Sequence, residues 1–189
     1  MRKRDLLELS KKCMVVTADM AKKLKCGTIS AIALPAFESG IKFDHFAFLH
    51  DDDALHVQLF DSQKRLVAQS KSQYTVDNFV YVREPYWRDG EEVKYFAEFN
   101  PGNHFIKAKV IPGKYMKKVD ARIFLRIKSV SLKLLSDISN ADIFKLGFDS
   151  ILDYLDFYDE QLTEELRYEK FRSYKVPYVY FYEVEVFDV

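Results

Sequence analysis

Positive side chains are concentrated between Lys107 and Lys128, where Asp120 is the single acidic residue. Aromatic residues, Tyr115 among them, interleave with the basic ones. Cations that contact phosphates, together with rings on which bases stack, are what single-stranded RNA or DNA binding requires. The basic residues are Lys107, Lys109, Lys114, Lys117, Lys118, Arg122, Arg126 and Lys128. The alternative is an ordinary charged strand surface, balanced by an acidic helix that folds over it.

A second chemically suggestive stretch is Thr75–Trp87, which reads TVDNFVYVREPYW. Its bulky residues predict a buried strand, and Arg83 and Glu84 come where that strand emerges into a mouth or a loop. A charged pair followed by Trp87 fits a binding position there. The alternative is that Arg83 pairs with Glu84 or another surface acid while Trp87 simply packs.

A third candidate site consists of histidines and aspartates whose side chains could bind a divalent metal. His45, His50 and His56 surround the acidic run Asp51–Asp53, which offers nitrogen and oxygen ligands. The spacing matches no compact metal motif, so a solvated hairpin turn is the preferred interpretation. We predict no metal and no other cofactor, since neither a P-loop nor a GxGxxG motif is present.

The overall composition predicts one globular, strand-rich domain. The chain has 189 residues, of which 48% are hydrophobic, 31% charged and 15% aromatic, and aromatic residues favour pleated surfaces. Basic and acidic residues number 29 each, so attraction to nucleic acid must come from a local patch. The acids concentrate in 149–165, apart from the basic stretch.

The location predicted from the sequence is cytoplasmic. The start, MRKRDLLELSKK, is interrupted by charges and is followed by no apolar signal core. No apolar run approaches the roughly 20 residues that span a bilayer, so no membrane is predicted. Cys13 and Cys26, both in helix-like contexts, are predicted to be reduced thiols.

Periodicity and capping residues predict the elements that must position these groups. Ser139 is a candidate helix N-cap with Asp142 three residues on, and Gly147 follows as a stop. The other predicted elements are a helix over about 4–12, a helix ending at Gly27, antiparallel strands in ALHVQLF and RLVAQS, a long strand in ARIFLRIKSVSL, an acidic helix within 149–170 and a last strand in PYVYFYEVEVFDV.

Residues 112–148, PGKYMKKVDARIFLRIKSVSLKLLSDISNADIFKLGF, resemble the phage and prophage branch of the ASCH family of PUA-like β-barrels. That branch has a His-Met-Pro-Arg-Trp-Ala-Ser-Arg-Ile run, here replaced by Tyr115–Ile123. It then has Leu-x-Asp-Ile-Ser opening a helix, here Leu135–Ser139. Asp77, Arg83, Glu84 and Trp87 resemble its Gly-Asp-x-Leu-Trp-Val-Arg-Glu-x-Trp strand, and PYVYFYEVE resembles its closing strand.

The resemblance covers roughly Thr75 to the C-terminus and implies an α+β fold. Its form would be a single PUA-like, ASCH-type mixed β-barrel with flanking helices. Residues 1–40 would be an N-terminal extension and 149–170 a helical insert before the last strand. A phage, prophage or bacterial origin is implied. The resemblance also implies a nucleotide-binding cleft, and the candidate ligand-binding residues are Arg83, Glu84, Trp87, Tyr115, Lys117, Lys118 and Arg122.

Some members of the family resemble amidohydrolases that deacetylate acetylated cytidine, and their signature is Gly-x-Lys-x-x-Thr-x-Arg. No alignment of KKLKCGTISAIALP keeps all four residues. Lys25 and Thr28 are the one surviving pair, and with Glu84 they are the catalytic candidates that the resemblance implies. Because the motif is incomplete, we expect a protein that is not an enzyme.

Three functions therefore follow from the sequence. The first is a nucleic-acid or nucleotide-binding module directed at RNA. The second is a hydrolase acting on a modified nucleoside. The third is a phage-encoded factor that binds a host protein, with the acidic helix as its contact surface.

Overall fold

The computed structural model describes residues 1–37, 41, 43–51, 54–99, 109–134, 137–160 and 178–189. Its strands are β1 (Lys12–Val15), β2 (Ala31–Pro35), β3 (His45–Asp51), β4 (Ala54–Phe60), β5 (Leu66–Lys71), β6 (Phe79–Arg83), β7 (Tyr86–Asp89), β8 (Glu92–Tyr95), β9 (Ile123–Leu134) and β10 (Tyr178–Asp188). The helices are α1 (Lys3–Leu9), α2 (Ala18–Lys25), α3 (Asn140–Lys145) and α4 (Ile151–Glu160). The predicted mixed α+β class is confirmed, whereas the closed PUA-like barrel stays a prediction.

Hydrogen bonding arranges the described strands into three sheets. The largest has the order β1-β6-β9-β10-β2, a second has the order β3-β4-β5, and β7 pairs with β8. The predicted antiparallel pair in ALHVQLF and RLVAQS is confirmed as β4 and β5, with Gln58 opposite Gln69. The chain also divides into two compact units, and the prediction of a single domain stays a prediction.

The first unit contains Met1–Ser30, Asp77–Ile127 and Val184–Val189. In it β1 runs parallel to β6, with Cys13 opposite Tyr81 and Val15 opposite Arg83. Helix α1 is shorter than predicted because the chain extends into β1 at Lys12. Cys13 therefore lies in a strand rather than in a helix-like context.

Helix α2 of this unit carries Lys25, and nearby residues explain where the helix begins and ends. The Thr17 hydroxyl accepts a hydrogen bond from the Met20 amide at 3.2 Å and caps the N-terminus. Gly27 follows the C-terminus with a positive φ of 71°, a conformation that glycine adopts without strain. Ala21 and Leu24 are buried on one face, so Lys25 is left at the exposed end of the helix.

The second unit contains Ala31–Val76 and Lys128–Glu183. Here α3 begins with the predicted capping box, in which Ser139 and Asp142 satisfy each other's backbone amides. Ile143 packs in a buried cluster with Val179 and Phe181. Helix α4 covers the start of the predicted insert, and 161–170 lie outside the described residues.

None of the helices in the described ranges combines the length and apolar character that a membrane crossing would demand.

Candidate functional site

A buried ion pair lies where β6 ends and β9 begins. Glu84, only 1% exposed, directly follows β6, and Arg122 directly precedes β9. Arg122 Nε lies 2.9 Å from Glu84 Oε1, and Arg122 Nη2 lies 3.0 Å from Glu84 Oε2. This two-point contact matches the fork of the guanidinium to both carboxylate oxygens and fixes its orientation.

The same guanidinium also stacks on an aromatic ring. Arg122 Cζ lies 3.9 Å from the centre of the Tyr95 ring, within cation–π range. The Tyr95 hydroxyl donates to the Asp120 carbonyl at 2.7 Å, and Arg88 donates to the Asp120 carboxylate at 2.7 Å. Arg122 is thus held on one edge by Glu84 and on one face by Tyr95.

A second carboxylate joins this arginine to a lysine. Lys25 Nζ donates to Glu98 Oε1 at 2.8 Å, and Arg122 Nη1 donates to the same oxygen. Asp188 Oδ2 also lies 3.5 Å from Lys25 Nζ. We call Lys25, Glu84, Tyr95, Glu98 and Arg122 the Arg122 cluster.

The two cations affect the acidity of this cluster. The hydrogen bond to Glu98 raises the pKa of Lys25 despite partial burial. In return, the hydrogen bonds from Lys25 and then Arg122 lower the pKa of Glu98. Lys25 is therefore held protonated, so it suits the binding of an anion better than the removal of a proton.

A cavity of about 450 Å³ lies beside the cluster. It is large enough for a small organic molecule. Its described lining residues are Lys22, Lys25, Cys26, Ala97, Glu98, Phe99 and Arg122. Thr28, the other half of the predicted Lys25–Thr28 pair, is exposed in the segment after α2 and does not line this cavity.

The predicted basic residues form a different surface, which starts at the turn Gly113–Tyr115. This turn packs directly on the end of β6, where a Cβ on Gly113 would lie 2.8 Å from the Arg83 carbonyl oxygen. Arg83 Nη1 donates to the Lys114 carbonyl at 3.2 Å. The close approach requires a glycine and brings the turn beside Arg83.

Cations and rings alternate along this surface. Lys114 Nζ lies 5.1 Å from the centre of the Tyr115 ring, which is 62% exposed. Lys118 Nζ lies 6.0 Å from the Tyr81 ring centre, and Arg83 Cζ lies 5.6 Å from it. Lys117 is exposed nearby in sequence. We call Tyr81, Arg83, Lys114, Tyr115, Lys117 and Lys118 the basic surface.

The charges of the basic surface lack acidic partners within the described ranges. No described carboxylate makes an ion pair with Lys114, Lys117 or Lys118. The nearest acid in sequence, Asp120, pairs with Arg88 instead. Within the described ranges, no ion pair therefore offsets the positive charge of these lysines.

The structure separates the remaining predicted residues from this surface. Arg122 belongs to the buried cluster, and Arg126 pairs with Asp77 at 2.6 Å. Trp87, in β7, contacts Phe99 edge-on at a ring distance of 6.3 Å. Lys107 lies outside the described residues. Arg122 and Arg126 of the predicted basic stretch are thus paired with acids, whereas Lys114, Lys117 and Lys118 have no acidic partner among the described residues.

No group of three or more histidine, cysteine or acidic side chains among the described residues could hold a metal. His45 lies on β3 and His56 on β4. Asp52 and Asp53 lie outside the described residues, as does the side chain of His50.

Tyr95 and Glu98 are the members of the cluster that the sequence analysis missed, and Glu98 is the charged one. It lies in YFAEF, an acid surrounded by aromatic residues. A lone carboxylate in such an environment needs a cationic partner, and this was the available signal. The identity of the partners could not be read from it.

Comparison with known proteins adds no assignment, since no family model, curated protein or solved structure matches this chain.

Proposed function

We propose that this protein binds single-stranded RNA through the basic surface. The observation that carries the proposal is a largely exposed tyrosine ring beside three lysines that have no described acidic partner. Lys114 and Lys117 are exposed and Lys118 is half-buried. The ASCH-type resemblance of the same segment supports it as well.

Each part of the basic surface has a role in this proposal. Lys114, Lys117 and Lys118 contact backbone phosphates, and Tyr115 stacks on a base. Stacking of this kind is worth about 1–3 kcal/mol per base. Arg83 extends the positive charge beside Tyr81.

The charge balance of the chain determines how such binding depends on salt. Because the net charge is zero, the chain as a whole does not attract a polyanion, and in this proposal the attraction comes from the basic surface. Each phosphate contact on a single strand contributes a slope of about −0.7 to the logarithm of affinity against the logarithm of salt concentration. Three lysine contacts therefore give a slope of about −2.

The test is fluorescence anisotropy of a labelled oligouridine strand titrated with the protein over a range of salt concentrations. We expect binding at low salt that weakens steeply as salt is added, and K114A/K117A/K118A should flatten the slope. The matched control compares the RNA affinity of K11A with that of K117A. Lys11 is also an exposed lysine, but it does not belong to the basic surface. Salt-independent binding, or no binding at low salt, would refute the proposal. Repeating the titration with a DNA strand of matching sequence shows whether the ribose contributes to affinity.

A second function, hydrolysis of a modified nucleoside, is favoured by one observation. Lys25 and Glu84 are joined through Glu98 and Arg122 beside a cavity of suitable size. Against it, the raised pKa of Lys25 disfavours a role as a base, and Thr28 does not line the cavity. We therefore expect no deacetylation of N4-acetylcytidine at high protein concentration, and release of acetate would reverse this choice.

A further inference from the structure

Two cations from different elements meet at a single carboxylate oxygen. Lys25 comes from the end of α2 and Arg122 from the residue before β9, and both donate to Glu98 Oε1. An oxygen at this position is therefore stabilised by an ammonium and a guanidinium at once. Such a convergence is the arrangement by which proteins bind carboxylates and phosphates.

The cationic half of this arrangement does not depend on Glu98 for its position. Glu84 holds two nitrogens of Arg122, and Tyr95 supports the guanidinium face. The third nitrogen, Nη1, is the one directed at Glu98. Arg122 would therefore remain preorganised for an anion if Glu98 moved away.

Glu98 is held less firmly than its partners. It ends the short 3₁₀ turn Phe96–Glu98, and its side chain is 52% exposed. Water can solvate this carboxylate when it leaves, and a half-exposed ion pair contributes little to stability. Displacing Glu98 should therefore cost far less than displacing Glu84.

Without the Glu98 carboxylate, the cationic side chains around the cavity outnumber the acidic ones, so the cavity favours an anion. Lys22 and Lys25 line the wall with Arg122, whereas Glu84 and Asp188 are the carboxylates that pair with these cations. Ala97 and Phe99 supply an apolar wall for the rest of a ligand.

We propose that this cavity binds a small organic oxyanion, a carboxylate or a phosphate monoester. The oxyanion replaces the Glu98 carboxylate between Lys25 and Arg122, and the ring or chain that carries it packs on Phe99. When no ligand is bound, the Glu98 carboxylate occupies the oxyanion position, and it competes with the ligand for that position. The proposal uses no residue of the basic surface, so it stands or fails independently of RNA binding.

The test is isothermal titration of the full chain with benzoate and with phenyl phosphate at low ionic strength, using chloride as the reference anion. Glu98→Ala vacates the shared oxygen position. We expect E98A to bind at least one probe about tenfold more tightly than the unmodified chain, a change of about 1.4 kcal/mol. The two probes distinguish a carboxylate ligand from a phosphate ligand.

Two further variants separate this mechanism from a general change in charge. E98A/K25M should lose the gain, because the ammonium that completes the site is absent. E98A/K117A should keep it, since Lys117 belongs to the basic surface. Equal binding by E98A and the unmodified chain, or by E98A and E98A/K25M, would overturn the proposal. Circular dichroism checks that each variant is folded.

Discussion

The Arg122 cluster and the basic surface lie in the same unit, and both contain lysine, arginine and tyrosine. They differ in whether the positive charges are paired with carboxylates. In the cluster, each cation meets at least one carboxylate, and Glu84 is almost completely buried. On the basic surface, Lys114 and Lys118 lie near aromatic rings, and Lys114, Lys117 and Lys118 make no ion pair with a described carboxylate. Charges that neutralise one another support the fold, whereas exposed charges without a counterion are free to attract a ligand.

The largest effect should come from breaking the buried pair. Arg122→Met leaves Glu84 buried without a cation, which costs about 3–5 kcal/mol. Urea denaturation of the variant should therefore show a much lower free energy of unfolding than that of the unmodified chain.

The matched control is R122M/E84M, in which both charges are removed. It should recover most of the lost stability, because an apolar pair leaves no buried charge. If the double variant is as unstable as R122M, charge compensation is not what this pair supplies.

A smaller effect is expected at the turn that carries the basic surface. Gly113→Ala places a Cβ 2.8 Å from the Arg83 carbonyl oxygen, and overpacking of this kind costs about 1–3 kcal/mol. Because Lys114 and Tyr115 lie on the displaced turn, RNA affinity should fall together with thermal stability.

Gly90→Ala is the comparison for this substitution. Gly90 has open space around its Cβ position but a positive φ of 62°, so alanine there costs about 1 kcal/mol by backbone strain alone. G90A should lower stability and leave RNA affinity unchanged. A loss of affinity in both variants would mean that stability, rather than the position of the turn, controls binding.

Acid should weaken the exposed end of the cluster. The folded-state pKa of Glu98 lies below its ordinary value of 4.5, so Glu98 contributes stability above that value and loses it as the pH falls through the folded-state pKa. With half the side chain exposed, the contribution is less than about 1 kcal/mol. The stability difference between the unmodified chain and E98Q, present at pH 7, should shrink as the pH falls below 4.5 and through the lowered folded-state pKa.

The smallest effect on stability should come from the lysines of the basic surface. K117A/K118A removes one exposed and one half-buried lysine, neither with an acidic partner in the described part of the chain, so the free energy of unfolding should change by less than about 0.5 kcal/mol. RNA affinity measured by anisotropy should nevertheless fall. Substantial destabilisation would mean that these lysines act structurally, as the residues of the cluster do.

Local sequence patterns predicted local structure well in this protein. The Ser139–Asp142 capping box and the β4–β5 hairpin depend on residues close together in the chain, and both are confirmed. Cys13 was misplaced because its neighbourhood resembles a helix, while pairing with β6 makes it part of a strand. Tertiary pairing overrode the local pattern there.

The candidate site was only partly predictable for the same reason. Arg122 was grouped with the basic stretch because its neighbours in sequence are cationic. Its actual partner, Glu84, is 38 residues away, and no local pattern connects them. Glu98, which joins Arg122 to Lys25, was not predicted at all.

The amino-acid sequence was enough to specify the strand-rich α+β class, the capped helix and a lysine-rich segment with interleaved aromatic residues. Those features follow from side-chain periodicity, capping and composition, which act over a few neighbouring residues. Tertiary structure alone decided which cations are neutralised, because an ion pair depends on distance in space. Folding joins Lys25 to Glu98, Glu98 to Arg122, and Arg122 to Glu84 by successive hydrogen bonds. It leaves Lys114, Lys117 and Lys118 facing solvent or aromatic rings.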